Sequence, residues 1–393
     1  MNKHSHPLKA RKQTNPADGP ACPHRPPCPG CPRFGEPGIA PITRDALDEL
    51  ASAHGVPVPA TVSGSTTGFR LRARLAIRGR SNSPKIGLFE ADSHRVVHIP
   101  NCSVQHPLIN RVASVVRRAL VDTGVTSYSD GVHLGLARYL QVVVERSSQT
   151  AQVVLVANCA TPEPLAAVLD LIRQRLGGEL HSLWFNANVE RSNTILGPDF
   201  YHWWGKNSVV EHFGGAAVHY PPGAFGQSNL DMAERIIREV RDQIPQGAMV
   251  TEFYAGVGAI GLSVLDRVAK LHMNEVGPHS RHGLELGLAQ LDEANRAKIT
   301  VMPGPAGTAC QIAAGANVVI VDPPRRGLDP ELSEYLAEHA PERLVYVSCS
   351  VESLVKDSTQ LVSLGKLRLS GLTAFNLMPF TGHVETLALF ERR

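Results

Sequence analysis

Apolar residues recur at every second position from Phe69 to Ile77. A period of two predicts a half-buried β-strand, here with Arg70, Arg72, Arg74 and Arg78 spread along its open face. Guanidinium groups in a row repel one another unless an anion lies against them. The pattern therefore favours a strand that binds a phosphate backbone, with a solvated sheet face as the alternative.

The segment from about residue 130 to residue 200 combines strand patterns with one amphipathic helix. Runs over Gln141–Glu145, Val153–Ala157 and Ser182–Phe185 predict strands, and Leu165–Leu176 predicts a helix. This order of elements indicates a small α+β module of ferredoxin-like character, in which the apolar residues form a core.

Strands and helices alternate after the turn Pro221-Pro222-Gly223. The predicted helices are Asp231–Gln243 and one that opens at Ile260–Leu265, and the predicted strands are Met249–Tyr254, Leu271–Glu275, Val318–Val321 and Leu344–Val347. Such alternation predicts an α/β fold with a doubly wound, mostly parallel, Rossmann-like sheet. Ligands of these sheets bind at the carboxyl ends of the strands.

Charge is distributed unevenly along the 393 residues, which are enough for two or three domains. Residues 1–120 carry a net charge of +10 and the remaining residues −7. A basic first part joined to an acidic second part indicates polyanion binding by the first and chemistry by the second. No run approaches the roughly 20 apolar residues of a membrane helix, and no secretory signal is evident. We therefore expect a cytoplasmic protein without membrane contact.

A glycine-rich turn, Gly256-Val-Gly258-Ala-Ile-Gly261, follows one predicted strand and opens a helix. Glycines at these positions let the backbone approach a nucleotide-like ligand closely. Glu275, at the end of the next strand, can accept both ribose hydroxyls of an adenosyl group. Together these features favour S-adenosylmethionine or a dinucleotide as the ligand.

Two of the predicted strands end at reactive side chains, Asp322 and Cys349. A thiolate can add to C6 of a pyrimidine, which makes C5 able to attack a methyl sulfonium. The C5 proton must then be removed by a base, and Glu385 in the apolar C-terminal strand can act as that base. A structural cysteine and a half-exposed glutamate are the alternatives.

Arg325 completes the sequence Asp322-Pro-Pro-Arg325. Methyltransferases that act on amino groups carry Tyr or Phe there to stack on the target base, and RNA cytosine-C5 enzymes place a cysteine in this loop. The arginine therefore indicates a different substrate.

Four of the seven cysteines form a candidate metal site: Cys22, Cys28 and Cys31 are close together in sequence, and Cys102 follows far downstream. Four thiolates suit either zinc or an iron–sulfur cluster. The odd total of seven and the expected cytoplasmic location disfavour a disulfide framework. Cys159 and Cys310 are interpreted as packing residues.

Taken together, these motifs resemble the RNA uracil-5-methyltransferase family over nearly the whole chain, from about Cys22 to Arg393. The resemblance is carried by Phe225-Gly-Gln227-Ser-Asn229, Asp322-Pro-Pro-Arg325, Ser348-Cys349 and His383-Val-Glu385-Thr. It implies that S-adenosylmethionine contacts Gln227, Tyr254, Glu275 and Asp322. It also implies that Cys349 is the nucleophile and Glu385 the proton acceptor.

The four-cysteine pattern is similar to the [4Fe-4S] site of the family's ribosomal-RNA members, which implies a [4Fe-4S] cluster on Cys22, Cys28, Cys31 and Cys102. The residues before Cys22 are too few for the N-terminal β-barrel domain that some of those members carry. The resemblance is therefore greatest to the iron–sulfur-containing 23S rRNA members that lack it.

The resemblance implies four segments. These are a flexible tail (1–19), a cysteine-rich cluster segment (20–42), a central RNA-binding α+β domain with Cys102 (43–220) and a methyltransferase domain (221–393). We expect a monomer that acts on rRNA rather than tRNA. The alternatives are a tRNA T-loop uridine methyltransferase, a catalytically inactive RNA-binding paralogue and, less well supported, an NAD-linked oxidoreductase.

Three positions depart from the usual family pattern. The chain has Glu252 where Asp is usual, Ser350-Val351 where Asn-Pro usually follows the nucleophile, and Phe380 in place of a histidine. The segment Met302–Thr308 also offers no acidic or amide side chain to hold an adenine.

Overall fold

A computed structural model describes residues 22–393, so the tail predicted over residues 1–19 lies outside the described residues. The elements up to residue 205 are α1 (Pro41–His54), β1 (Ala60–Val62), β2 (Arg72–Arg80), β3 (Ser83–Phe89), β4 (Val96–His98), α2 (Pro107–Thr123), β5 (Ala137–Glu145), β6 (Thr150–Ala157), α3 (Ala166–Leu176), β7 (Leu180–Ala187) and β8 (Asp199–Gly205).

The later elements are β9 (Val209–Phe213), β10 (Ala216–Tyr220), α4 (Leu230–Asp242), β11 (Ala248–Phe253), α5 (Ala259–Ser263), β12 (Val268–Glu275), α6 (Pro278–Leu288), α7 (Glu293–Ala297), β13 (Ile299–Pro303), α8 (Ala306–Ala309), β14 (Val318–Val321), α9 (Pro330–Glu338), β15 (Arg343–Ser348), α10 (Val351–Val362), β16 (Leu367–Phe375) and β17 (Glu385–Arg392).

The C-terminal part is built on an eight-stranded sheet in the order β1-β16-β17-β15-β14-β11-β12-β13. The strands from β13 to β15 are parallel, whereas β17 runs antiparallel between β15 and β16. The apolar runs of β14 and β15 are buried, as expected for strands covered on both faces. This is the doubly wound, Rossmann-like sheet that the sequence predicts.

The central part contains a seven-stranded sheet in the order β4-β3-β2-β5-β6-β7-β8. Its neighbours are antiparallel except β6 and β7, which are parallel because α3 connects them. The buried side chains of α2 and α3 pack on this sheet in the same continuous core that reaches the C-terminal sheet. The predicted central strands and helix are all present, with longer strands than the sequence indicates.

Residues 41–62 belong with the C-terminal sheet, which corrects the predicted start of the central domain at residue 43. Strand β1 pairs in parallel with β16 at the edge of that sheet, and α1 packs against β16 and α10. The short edge strand has little apolar character of its own, so no sequence pattern indicates its pairing partner. No helix among residues 22–393 is long and apolar enough to cross a membrane.

The arginine-rich strand differs from its predicted form. The guanidinium of Arg78 is buried, with 6% of the residue exposed, and makes two hydrogen bonds to Asp130. Arg70 contacts the sulfur of Met378, and of the four arginines only Arg74 is exposed. The expectation that all four lie on one open face is therefore wrong. The partners of Arg72 and Arg78 include the carboxylate of Asp130, backbone carbonyls and aromatic rings.

Arg72 joins the central sheet to the C-terminal part. It donates a hydrogen bond of 2.7 Å to the carbonyl of Ala224, and its guanidinium lies 5.2 Å from the ring centre of Tyr220. Next to it, the amide of Leu71 donates to the carbonyl of Ser228. Burial lowers the pKa of Arg72 to about 10, which leaves the group charged at neutral pH. These interactions fix β2 against the loop that precedes α4.

We predict that Arg72→Ala destabilises the protein by about 2–3 kcal/mol, because it removes a charged hydrogen bond and a cation–π contact in the core. Urea unfolding monitored by circular dichroism measures the change. Arg80→Ala, at the exposed end of the same strand, is the matched control and should leave stability unchanged. Unaltered stability in Arg72→Ala, together with weakened RNA binding, would instead support the open-face interpretation.

Candidate active site

The register of the C-terminal sheet brings Cys349 and Glu385 together. Strands β15 and β17 are antiparallel, and Ser348 faces Thr386 at the last pair. Cys349 and Glu385 occupy the next facing positions, where side chains of an antiparallel pair lie about 5 Å apart. Residues 36 positions apart in sequence therefore meet at the end of one strand pair.

Three further predicted site residues lie at neighbouring strand ends. Phe253 of β11 is in register with Val321 of β14 and with Asn274 of β12. Tyr254, Asp322 and Glu275 therefore stand side by side at the carboxyl edge of the sheet. The structure thus groups five of the predicted site residues along one edge, as the topology of a parallel sheet requires.

This edge is short of positive charge. Burial, together with the charges of Glu385 and Asp322, raises the pKa of the Cys349 thiol to about 11. Burial also raises the pKa of both carboxyl groups above their usual values, and for Glu385 the charge of Asp322 adds to this. Because like charges in a dry site oppose ionisation, the edge is complementary to a cationic ligand.

Arg325 is a cation close to Cys349 and Glu385. Its positive charge lowers the pKa of both Cys349 and Glu385, opposing the effect of burial. Its guanidinium lies 3.3 Å from the ring of His383, whose pKa is lowered by burial and by that charge. Arg325 is exposed and is therefore free to contact a substrate above the strand ends.

The loop that carries Asp322 and Arg325 is fixed by α10. Ser350 accepts a hydrogen bond from the amide of Ser353 and so caps the helix, a role that Asn, usual at this position, performs equally well. The hydroxyl of Ser353 donates to the carbonyl of Arg325. The departure at Ser350 therefore leaves the local geometry intact.

Asp357 is a positioning residue that the sequence reasoning missed. Its buried carboxylate accepts hydrogen bonds from the amide of Leu328 and the hydroxyl of Tyr346. A Cβ atom at Gly327, where φ is +85°, would lie 2.3 Å from this carboxylate. The signal was present in α10, because Asp357 interrupts the buried face formed by Leu354 and Leu361.

The glycine-rich turn closes over two acidic side chains. Glu275 accepts hydrogen bonds from the amides of Gly256 and Gly277. Glu252 is 1% exposed, and burial, together with Asp322 and Glu275, raises its pKa well above the usual value. A Cβ at Gly261 would lie 2.2 Å from the Glu252 carboxylate. Gly261 thus leaves space for the glutamate that replaces the usual aspartate.

Gln227 lies, half-buried, in the loop between β10 and α4. Asn229 in the same loop caps α4 through Met232 and donates to the carbonyl of Leu377, just before the C-terminal segment that carries His383 and Glu385. The loop is thereby held between the central sheet and the C-terminal strand pair. Phe225, 66% exposed, projects from it, and no sequence pattern assigned it a role.

The four predicted ligand cysteines line one cavity of about 610 Å³: Cys22, Cys28, Cys31 and Cys102. Burial, together with the neighbouring Cys102, Cys28 and Cys22, raises the pKa of the Cys31 thiol to about 11. Burial likewise raises the pKa of Cys28. Thiols that repel one another in this way are stabilised as thiolates when a metal is bound.

No three His, Cys, Asp or Glu side chains within residues 22–393 are arranged to hold a single metal ion. Ligands of one zinc ion must converge to about 2.3 Å from it. The four cysteines share the lining of their cavity with other residues, among them Arg70 and Met378. All seven cysteines are free, and Cys159 and Cys310 pack against the hydrophobic cores as predicted.

The cysteine-rich segment packs against the C-terminal loop of the candidate active site. The rings of Phe34 and Phe380 lie 4.8 Å apart, and the amide of Arg33 donates to the carbonyl of Phe380. The same cavity that the cysteines line also reaches Arg325 and His383. Phe380, which replaces the usual histidine, therefore serves as an apolar anchor for this segment.

Comparison with known sequences gives consistent matches. The profile of the family described as tRNA (uracil-5-)-methyltransferase matches residues 313–393. An uncharacterised RNA methyltransferase of Protochlamydia amoebophila is 36% identical over 380 residues, which cover 95% of this chain and 97% of that protein. An uncharacterised RNA methyltransferase of Enterococcus faecalis is 28% identical, over 83% of this chain and 71% of that protein.

The fold is similar to the crystal structure of Pyrococcus abyssi tRNA (uracil-54, C5)-methyltransferase in complex with S-adenosyl-L-homocysteine. The TM-score is 0.72 and the sequence identity 22%, over 89% of this chain and 83% of that one. The similarity extends over both sheets and confirms the Rossmann-like architecture predicted from the sequence.

We predict that Glu385→Gln stabilises the protein at alkaline pH. The folded state holds the Glu385 proton more tightly than the unfolded state, so its ionisation lowers stability as pH rises from about 4.3 towards the raised folded pKa. Glutamine removes this penalty, and the free energy of unfolding should rise by about 1–4 kcal/mol near pH 9.

The stabilisation should vanish near pH 4, where both states are protonated. Urea unfolding at several pH values measures it, with Glu334→Gln, an exposed glutamate of α9, as the control without a pH-dependent change. An equal effect of the Glu385 substitution at both ends of the pH range would contradict the raised pKa.

Proposed function

The chain belongs to the RNA uracil-5-methyltransferase family, and from this membership we propose that it methylates C5 of a uridine by covalent catalysis at Cys349. The observation that carries the proposal is the facing pair of Cys349 and Glu385 at the ends of β15 and β17. Direct methylation of a nitrogen or oxygen needs no thiol nucleophile opposite a carboxylate, whereas methylation at C5 needs both.

Four residues are proposed to hold the methyl donor: Gln227, Tyr254, Glu275 and Asp322. S-Adenosylmethionine supplies the methyl group and a positive charge that suits the carboxylates of this edge. Glu275 accepts hydrogen bonds from the amide of Gly256 in the glycine turn and from the amide of Gly277, where a ribose would replace those contacts or extend them. Arg325 faces the substrate side of the same edge.

Cys349 gives its proton to solvent and its sulfur forms a bond to C6 of the uracil ring, which moves an electron pair towards C5 and O4. C5 then attacks the methyl group of the donor, the sulfonium–methyl bond breaks, and the donor leaves as S-adenosyl-L-homocysteine. The carboxylate of Glu385 removes the remaining C5 proton, the C5–C6 double bond reforms and the C6–sulfur bond breaks. The thiolate is thereby regenerated, and the proton leaves from Glu385 to solvent.

The charges around the two groups support this order of steps. The pKa values of the Cys349 thiol and the Glu385 carboxyl are raised in the free protein, so both groups keep their protons until positive charge enters the site. Arg325 already lowers both pKa values. A protein without its methyl donor is thus protected from unproductive thiol addition.

The RNA we propose is 23S rRNA, because the resemblance associates four cysteines with ribosomal-RNA members of the family. A tRNA is the second candidate, since the description of the matching family and that of the similar crystal structure both name tRNA. The choice depends on contacts with RNA shape and loops outside the edge that performs the chemistry.

We propose further that Cys22, Cys28, Cys31 and Cys102 hold one [4Fe-4S] cluster. The donor set fits, because four mutually repelling thiols line one cavity. Such a cluster would supply a covalent link between the cysteine-rich segment and the central domain. Methyl transfer to a nucleophilic carbon requires no electron, so its role here is structural.

The purified protein is incubated separately with a 23S rRNA transcript and with a tRNA transcript. We predict that it forms 5-methyluridine in the 23S rRNA and not in the tRNA. Mass spectrometry of nuclease digests measures the product. Cys349→Ala should abolish it in both RNAs, because C5 never becomes nucleophilic. Cys310→Ala, on a core-packed cysteine away from the strand ends, is the matched control and should retain activity. Product in tRNA alone would select the second candidate.

The Glu385→Gln variant separates the two chemical roles, because addition and methyl transfer proceed without the base but elimination does not. It should accumulate a protein–RNA complex that survives denaturing electrophoresis, with turnover reduced by about 10²- to 10⁴-fold. RNA containing 5-fluorouridine should trap the unmodified enzyme in the same way. Near-normal turnover by Cys349→Ala would overturn the mechanism.

We predict that protein purified without oxygen is brown and contains about four irons per chain, as one [4Fe-4S] cluster requires. Cys28→Ser should remove the colour and the iron and should lower the yield of folded protein. Cys159→Ser, on a cysteine that packs against the core, should keep both. Colourless protein with one tightly bound zinc would contradict the assignment.

A further inference from the structure

A basic cavity, separate from the one that the four cysteines line, lies at the end of the central sheet away from the candidate active site. It is a groove of about 840 Å³ between the β3–β4 turn and the loops around residues 130 and 191. The charged residues in its lining are four cations, Arg78, Lys85, Arg95 and Arg191, and a single carboxylate, Asp130. No step of the proposed reaction uses it.

Two buried arginines lie at the base of this groove: Arg78 lines it, and Arg138 stacks on the lining residue Tyr128 from outside the lining. Arg78 is held by Asp130 and lies about 5.1 Å from the ring centre of Tyr128. Arg138, 1% exposed, lies 4.3 Å from the centre of the same ring. Arg138 donates to the carbonyls of Asn188, Glu190 and Ser192 and to no carboxylate within residues 22–393. Arg138 therefore adds a buried positive charge behind the lining, and among the described residues it donates to no carboxylate.

The rim adds cations that remain available to a ligand. Lys85 and Arg191 are exposed and form no salt bridge within the described part of the chain, and Arg191 donates only to the carbonyl of Gly131. Arg95 contacts Glu90, but its side chain is 82% exposed. Fixed positive charge under an open, cationic rim concentrates anions.

We infer that this groove binds the phosphate backbone of the substrate RNA at a point remote from the modified uridine. The inference rests on the proposed function, which supplies the anion. Tyr128, the ring at the centre of the groove, is 2% exposed and cannot stack on a base, so the groove recognises backbone rather than sequence.

Strand β2 separates this groove from the joint between the central sheet and the C-terminal part. Arg72 of β2 contacts the loop before α4, whereas Arg78 is six residues further along the same strand. At about 3.3 Å per residue the groove lies roughly 20 Å beyond that joint. An RNA that fills the active site must therefore extend several nucleotides to reach the groove.

The test measures fluorescence anisotropy of labelled oligouridylates of about 30 and about 5 nucleotides, one well above and one near the lower limit of the usual single-strand site sizes. The triple variant Lys85→Gln, Arg95→Gln, Arg191→Gln should bind the long oligonucleotide at least about tenfold more weakly near 0.1 M salt. The slope of log affinity against log salt should fall by about 0.7 for each phosphate that the variant no longer neutralises. Affinity for the short oligonucleotide should not change.

Lys206→Gln is the matched control, since this exposed lysine lies beyond β8 at the opposite end of the same sheet. It should leave both affinities and the salt slope unchanged, and thermal unfolding verifies that each variant is folded. Equal weakening of the short and long oligonucleotides, or an unaltered long one, would overturn the inference.

The assay contains no methyl donor, so its outcome is independent of the chemistry. A protein that binds the long oligonucleotide through the groove but forms no 5-methyluridine contradicts the proposed function alone. A protein that forms 5-methyluridine while the triple variant binds long RNA normally contradicts the groove alone.

Discussion

The antiparallel insertion of β17 between β15 and β16 is the constraint on which the candidate site depends. Its register sets Glu385 opposite Cys349, and a shift by one residue would turn the carboxylate to the other face of the sheet. The apolar residues of β17 are buried on both sides, so such a shift would also misplace the core. The stability of the sheet and the geometry of the chemistry are therefore fixed by the same hydrogen bonds.

The position of that pair at a buried sheet edge is electrostatically unfavourable, and the surrounding residues compensate for this only in part. Glu252 and Glu385 each have a carboxylate oxygen without a hydrogen-bond partner among residues 22–393. Buried polar groups are usually satisfied, and unsatisfied ones occur where a protein binds charge or moves protons. Arg325 offsets some of the negative potential, and the remainder is what a cationic ligand would neutralise. Binding of a cationic ligand would therefore relieve the unfavourable electrostatics of the free site, and this relief would contribute to the affinity for that ligand.

The basic character of the chain serves two separate purposes. Arg72 and Arg78 hold the central sheet together and join it to the C-terminal part through carbonyl, carboxylate and aromatic contacts. Cations around the far end of β2, such as Lys85 of β3 and Arg191 of the loop after β7, remain at the surface. The charge that favours polyanion binding therefore lies around the end of β2 rather than along its face.

The sequence by itself determined the alternating strands and helices, the glycine turn and the reactive residues at strand ends, because periodicity and turn chemistry are local properties. It also indicated that Cys349 and Glu385 act in one reaction, because the chemistry needs a nucleophile and a base, but it did not place the two side chains next to each other. The tertiary structure decided which strand β1 joins, which arginines are buried, and that Asp357 supports the Arg325 loop. These depend on interactions between residues far apart in the chain, where burial and partner geometry override the local pattern.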